Sequence, residues 1–199
     1  MKVRITLIED MLGTASANPD IHKEYIASKA PDAAGREEEI AAIGVEAAIE
    51  KAMTVFPRGN NGKPILWDYQ VKGFIKEATG IVLDLMDKEV RVGKTKLSKF
   101  THKRLVDNFV FVGPRQIVIN GNLAPNCTRP LRAETMQGER VALATSEAIA
   151  AGATIECEIK CLVKSMEDVI RQCLDYGAMK GLGQWRNSGK GRFTWEEIS

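Results

Sequence analysis

Val3, Ile5 and Leu7 alternate with Arg4 and Thr6 at the start of the chain, and this period of two predicts a half-buried strand over residues 3–8. A polar stretch with Ala, Ser, Asn and Pro, residues 13–31, reads as a loop. The period then lengthens. Ile40, Ile43, Ala47 and Met53 fall at helical spacing across residues 36–56, with Glu37, Glu38 and Glu39 at the end where a helix dipole favours acids. After a Gly/Asn/Pro loop at 57–64, the positions of Trp67, Val71, Phe74, Ile75, Ala78, Val82 and Leu85 predict a second long helix over 65–88.

The second half of the chain is mostly short-period. Two strands, 109–112 and 117–119, are expected about a Gly113-Pro114 turn, followed by a turn-rich stretch at 120–135 and a short strand at 141–144. A strand at 153–163, a helix at 166–176 with Val169, Ile170, Cys173 and Leu174 inward, and a glycine-rich loop leading into Arg192-Phe193-Thr194-Trp195 close the chain. This order predicts an α+β protein with a ferredoxin-like (RRM-like) antiparallel sheet and helices on one face, in one such unit or two. Residues 1–199 read as a single compact domain, with 120–139 as the candidate linker between halves 1–120 and 140–199. Val3, Ile5, Leu7, Phe74, Val82, Phe109, Phe111, Ile155, Ile159, Ile170 and Leu174 are the expected core.

Composition narrows the class. With 199 residues, 44% hydrophobic and 27% charged, the chain can bury a substantial core without disulfides or metals, and it is neither disordered nor fibrous. No apolar run reaches the roughly 18 residues of a membrane span, and charge enters too early at the start for a signal peptide, so a soluble cytoplasmic protein is expected. Cys127, Cys157, Cys161 and Cys173 match neither metal pairs nor a disulfide framework and read as reduced thiols, Cys157 and Cys161 sharing a strand face with Ile155 and Ile159. Neither metal nor cofactor is expected.

The net charge of +2 speaks against a protein that coats nucleic acid, but it conceals a division. Residues 88–104 hold seven Lys or Arg, among them Lys94, Lys96, Lys99, Lys103 and Arg104, against the single acid Glu89. A second basic stretch lies in Gly181-Leu182-Gly183-Gln184-Trp185-Arg186-Asn187-Ser188-Gly189-Lys190-Gly191-Arg192, where four glycines let backbone approach a ligand closely. Arg186, Lys190 and Arg192 add charge there and Trp185 a stacking face, a combination suited to phosphates and an unstacked base. It is not a Walker loop, which needs Gly-Lys-Ser/Thr opening a helix, nor a dinucleotide fingerprint, since a strand-like segment follows.

The Gly-φ-Gly, five residues, Gly-x-Gly-x-φ arrangement at Gly181, Gly183, Gly189 and Gly191 resembles the C-terminal glycine-rich loop of the RAMP superfamily of CRISPR-associated proteins. Val71-Lys72-Gly73-Phe74-Ile75-Lys76 is similar to that family's helix-opening run, although Asp68-Tyr69-Gln70 stands where the family shows Gly-Ser-Ser. Leu12-Gly13 after the first strand, and Gly152-Ala153-Thr154 before the 155–161 strand, also resemble the family. The resemblance implies a ferredoxin-like fold of backbone-subunit type, in a CRISPR complex or in a stand-alone or phage-borne relative. It implies binding of single-stranded RNA or DNA through the glycine loop, Lys72 and the basic segment, with a homo-oligomer or a ribonucleoprotein complex as the setting.

Three functions follow for testing. The first is a non-catalytic single-stranded nucleic-acid binder, RNA preferred, with a steep salt dependence. The second is a metal-independent RNA endonuclease, for which His22, with Lys23, Tyr25 and Lys29 nearby in sequence, is the candidate acid or base and His102 a weaker, solvent-facing one. The third is a backbone-mimicking interaction or inhibitor protein that engages a protein complex. No HExxH, GxSxG or catalytic Cys/His spacing is present, which disfavours a metalloenzyme or a serine hydrolase.

Overall fold

The computed structural model describes residues 1–17, 53–86, 89–135 and 138–198. In chain order its elements are strands β1 (Lys2–Leu7), β2 (Met11–Leu12), β3 (Ala15–Ser16), β4 (Thr54–Val55) and β5 (Ile65–Trp67), helix α1 (Asp68–Leu85), and the hairpin β6 (Arg91–Val92) and β7 (Thr95–Lys96). Helix α2 (His102–Phe109) follows, then strands β8 (Val110–Gly113), β9 (Gln116–Asn120), β10 (Leu123–Thr135), β11 (Gly138–Ile149) and β12 (Thr154–Cys161), helix α3 (Glu167–Lys180) and strand β13 (Phe193–Ile198).

β1 lies between β12 and β13, antiparallel to both, and β8 and β9 follow one another along the far side of β12, with β5 on β9. Read as β1, α1, β8/β9, β12, α3, β13, this is a ferredoxin-like unit. The fold class expected from the sequence is therefore the one observed, with one such unit among the described residues. A second sheet carries the order β10-β11-β4-β3, with β2 also on β11.

The alternation in β1 works as its sequence requires. Val3, Ile5 and Leu7 are fully buried against α1 and α3, together with Ile155, Cys157 and Ile159 of β12 and Phe193 of β13. The Phe74 and Phe193 rings meet edge to face at 5.4 Å, and Gly177 of α3 has no side chain because the Phe193 ring occupies that space. The opposite face is solvated. Arg4 bridges Glu156 and Glu196 across three strands, both at 2.9 Å, and Lys160 pairs with Glu158. The outward residues of β1, β12 and β13 include no aromatic side chain, and the aromatic ring that the register adds to this face is Phe111 of β8, opposite Lys160. The four cysteines are free, and burial pushes the Cys157 thiol up to about 12 and that of Cys173 to about 11.

Several expectations are corrected. Residues 65–67 form a strand rather than the first turn of a helix: Ile65 and Leu66 are both buried, so a strand covered on two sides mimics an apolar helical stripe. Most of the helix expected over 36–56 lies outside the described residues, but the β-branched pair Thr54–Val55 is strand, pairing with Ala15–Ser16 and with Ser146. The strands flanking Gly113-Pro114 do not pair with each other, because each finds its partner on β12. The turn-rich stretch at 120–135 is the long strand β10. Its prolines are tolerated because β10 lies at the sheet edge and its register shifts between Ala124 and Cys127. Phe111 is not core: Val110 takes the buried position, leaving Phe111 47% exposed with the Lys72 ammonium 5.1 Å from its ring centroid. Phe109 is only partly buried, at the end of α2.

Candidate nucleic-acid interface

The glycine-rich loop leaves α3 at Gly181 and returns to the sheet at Phe193, and its backbone could not be built from other residues. Gly181, Gly183, Gly189 and Gly191 all have φ between 73° and 85°. A Cβ on Gly181 would lie 2.5 Å from the Lys190 carbonyl oxygen, and one on Gly191 would run into that of Leu182. The two ends are zipped together by the Leu182 N–H donating to the Gly191 carbonyl at 2.8 Å. Gly183 lets the loop press onto the segment after β1, where a Cβ would come 2.7 Å from the Leu12 carbonyl oxygen.

Side chains fasten the loop on both flanks. Lys190 donates to Asp10 at 3.2 Å, and the Gln184 amide donates to the Gly13 carbonyl at 2.6 Å. Arg186 donates to Glu77 of α1 at 2.7 Å, and Lys180 reaches the same carboxylate at 3.0 Å. Burial alone would raise the Glu77 pKa, but the hydrogen bonds from Arg186 and Lys180 outweigh it and hold the carboxyl below its ordinary value. Arg192 is exposed and makes no ion pair among the described residues.

Trp185 sits at φ 53°, the one non-glycine residue in the left-handed region among those described, and is 40% exposed. Its ring lies 4.9 Å from the Arg129 guanidinium, which comes from β10 and also donates to Gln184 at 3.2 Å. Among the described residues the Arg129 Nε and Nη1 are buried without an acceptor, an arrangement that favours an anion at the guanidinium. Sequence reasoning missed Arg129 because it stands in the stretch read as turns, 56 residues from Trp185. Beside the loop runs a groove of about 240 Å³ between α1 and Leu182, Gly183 and Arg186. Gly73 of α1 opens onto unfilled space, with no atom within 4 Å of where its Cβ would be.

The segment that opens α1 is closed by its own side chains. Gln70 accepts from the Trp67 N–H at 2.8 Å and donates to Thr14 at 2.8 Å, while Asp68 accepts from the Tyr69 N–H and pairs with Arg115. The carboxylate of Asp68 thus occupies the N-terminus of α1, where a phosphate would otherwise find N–H groups. Lys72 turns away from the loop, donating to the Asp107 carbonyl at 3.0 Å.

The basic segment lies toward the other end of α1. Lys99 pairs with Asp84 and Lys96 with Glu89, both at 2.7 Å, while Lys94, Lys103 and Arg104 make no ion pair among the described residues. Arg186 and Lys99 are held by Glu77 and Asp84, seven residues apart on one stripe of the helix, or about 10 Å along its axis. The two basic stretches are thus separate stations on one helix. His102, expected to face solvent, is buried: its Nδ1 meets the Lys99 carbonyl oxygen at 2.8 Å and its Nε2 packs on Gly80. It plugs the start of α2. His22 lies outside the described residues.

By sequence, the chain matches no family model and no curated protein. By structure, it is similar to a chain in the cryo-EM structure of the Type III-B Cmr-beta bound to cognate target RNA, with a TM-score of 0.54 and 11% identity. That match covers all of this chain and 58% of the other. A chain of a Type IV-B CRISPR complex matches with a TM-score of 0.47 and 9% identity, over 100% of this chain and 90% of that one. At such identities the likeness is one of fold.

Proposed function

We propose that this chain is a non-catalytic, single-stranded RNA-binding subunit of a CRISPR-type ribonucleoprotein complex, engaging RNA through the glycine-rich loop and the basic segment. The observation that carries this reading is the loop itself: a left-handed backbone that presents Trp185 half-exposed over an Arg129 guanidinium with two buried, unpartnered nitrogens. An indole face for a base beside a cation for a phosphate is the pairing that single-strand recognition uses. The groove left open at Gly73 gives a strand a course between the loop and α1. Fold similarity to a subunit of an RNA-bound complex agrees with this reading.

The test is titration of the full chain with an unstructured RNA oligonucleotide between about 50 and 200 mM salt. Affinity is expected to fall with salt, and Trp185→Ala is expected to weaken binding by about 1 to 3 kcal/mol, as loss of one stacked base does. Binding that is absent at low salt, or that Trp185→Ala leaves untouched, overturns the assignment to the loop.

A further inference from the structure

We infer that Phe100 is a base-stacking residue, the centre of a second RNA contact at the far end of α1 from the glycine loop. This rests on the RNA-binding reading above and adds a site to it. Phe100 is 99% exposed, more than any other large hydrophobic side chain among those described. It is not exposed through looseness. Leu97 and His102 on either side of it are buried, at 3% and 7% exposure. Thr101 Oγ1 donates to the Lys96 carbonyl at 2.7 Å and accepts from the Ser98 N–H at 2.9 Å, and the His102 N–H donates to the Ser98 carbonyl at 2.8 Å. A hydrogen-bonded turn therefore holds a phenyl ring in water, where its hydration is unfavourable and contacts with the described residues leave it 99% exposed.

The surroundings select the occupant. Lys103 and Arg104 follow it on α2 and Lys94 precedes it on the β6–β7 turn, all three without an ion pair among the described residues. Lys99 is anchored to Asp84, and the nearest acids in sequence on either side, Asp107 and Glu89, are held by Lys76 and by Lys96 and Arg91. A rigid aromatic ring among free cations, with the nearby carboxylates engaged, complements a ligand that joins flat apolar faces to regularly spaced anions. Single-stranded nucleic acid is that ligand, with a base on the Phe100 ring and phosphates at Lys103 and Arg104. The Glu77 to Asp84 stripe of α1 links this station to the loop, so one strand can occupy both.

The experiment compares wild type with Phe100→Ala and Phe100→Trp as full chains, titrated with a fluorescent unstructured RNA of about 15 nucleotides, within the range that single-strand sites span. Phe100→Ala should bind about 5- to 100-fold more weakly with an unchanged salt slope, because stacking carries no charge. Phe100→Trp should retain affinity and show an additional indole signal that RNA quenches. All three proteins should melt alike, since the ring is 99% exposed among the described residues. If wild type binds RNA and Phe100→Ala binds within twofold of it, the stacking role is wrong and the loop-based reading stands. If wild type does not bind, both fall. Loss of anionic-vesicle capture in Phe100→Ala, with RNA affinity unchanged, overturns the proposal in favour of a membrane contact.

Discussion

Leu7 and Phe111 are both apolar residues of expected core strands, yet one is fully buried and the other 47% exposed. The distinction follows from phase rather than from hydrophobicity. In β8 the buried position belongs to Val110, and the half-exposed Phe111 ring has the Lys72 ammonium 5.1 Å from its centroid. Leu7→Ala is accordingly expected to destabilise by about 2 to 5 kcal/mol. Phe111→Ala should cost about 1 kcal/mol or less, the scale of an exposed cation–π contact. Chemical denaturation of the two variants checks the contrast, and similar losses would contradict the strand phase. The same logic explains why the β1 and β12 residues could be assigned from sequence and Phe111 could not. The former sit mid-strand in clear alternation, whereas β8 begins directly where α2 ends and its phase is set by the helix.

Among elements, the glycine loop was legible because its four positive-φ positions must be glycine, and that requirement is written in the spacing. The long β10 strand was hidden by Pro125 and Pro130, which signal turns unless the strand lies at an edge, and edge position is a property of the sheet. What could not be read at all is the fastening of the loop, since Glu77 is 109 residues from Arg186. That fastening has a pH dependence of defined sign. The Glu77 pKa is lowered in the folded protein, so its contribution to stability is present above the ordinary value of 4.5 and is lost as pH falls below it. Thermal melts of wild type and Glu77→Gln should therefore differ at pH 7 and converge as the pH is lowered through 4.5 and beyond. A difference that persists undiminished in acid would assign the effect to something other than this carboxylate.

For the molecule as a whole, the central strand β1 is flanked by β12 and by the last strand, so the ferredoxin-like sheet draws on both ends of the described chain. This topology was anticipated from element order; the second sheet was not, because β2, β3 and β4 are two residues each and too short for any period to show. Charge distribution over the whole surface likewise differs from its distribution along the sequence. Of the ten basic side chains assigned to RNA, Lys72, Lys96, Lys99, Arg186 and Lys190 each have a carboxylate within 4 Å, while Lys94, Lys103, Arg104, Arg129 and Arg192 have none among the described residues.

The paired five carry resident counterions of the protein's own. When such a cation takes up a phosphate, the carboxylate it abandons must recruit a salt cation, which cancels the one the RNA releases. Only the five unpaired cations then contribute net release, and the log–log slope of affinity against salt should be about −3.5 rather than the roughly −7 the full set would give. Glu89→Gln, which frees both Lys96 and Arg91, should strengthen binding at low salt and steepen that slope, the reverse of what deleting a contact does.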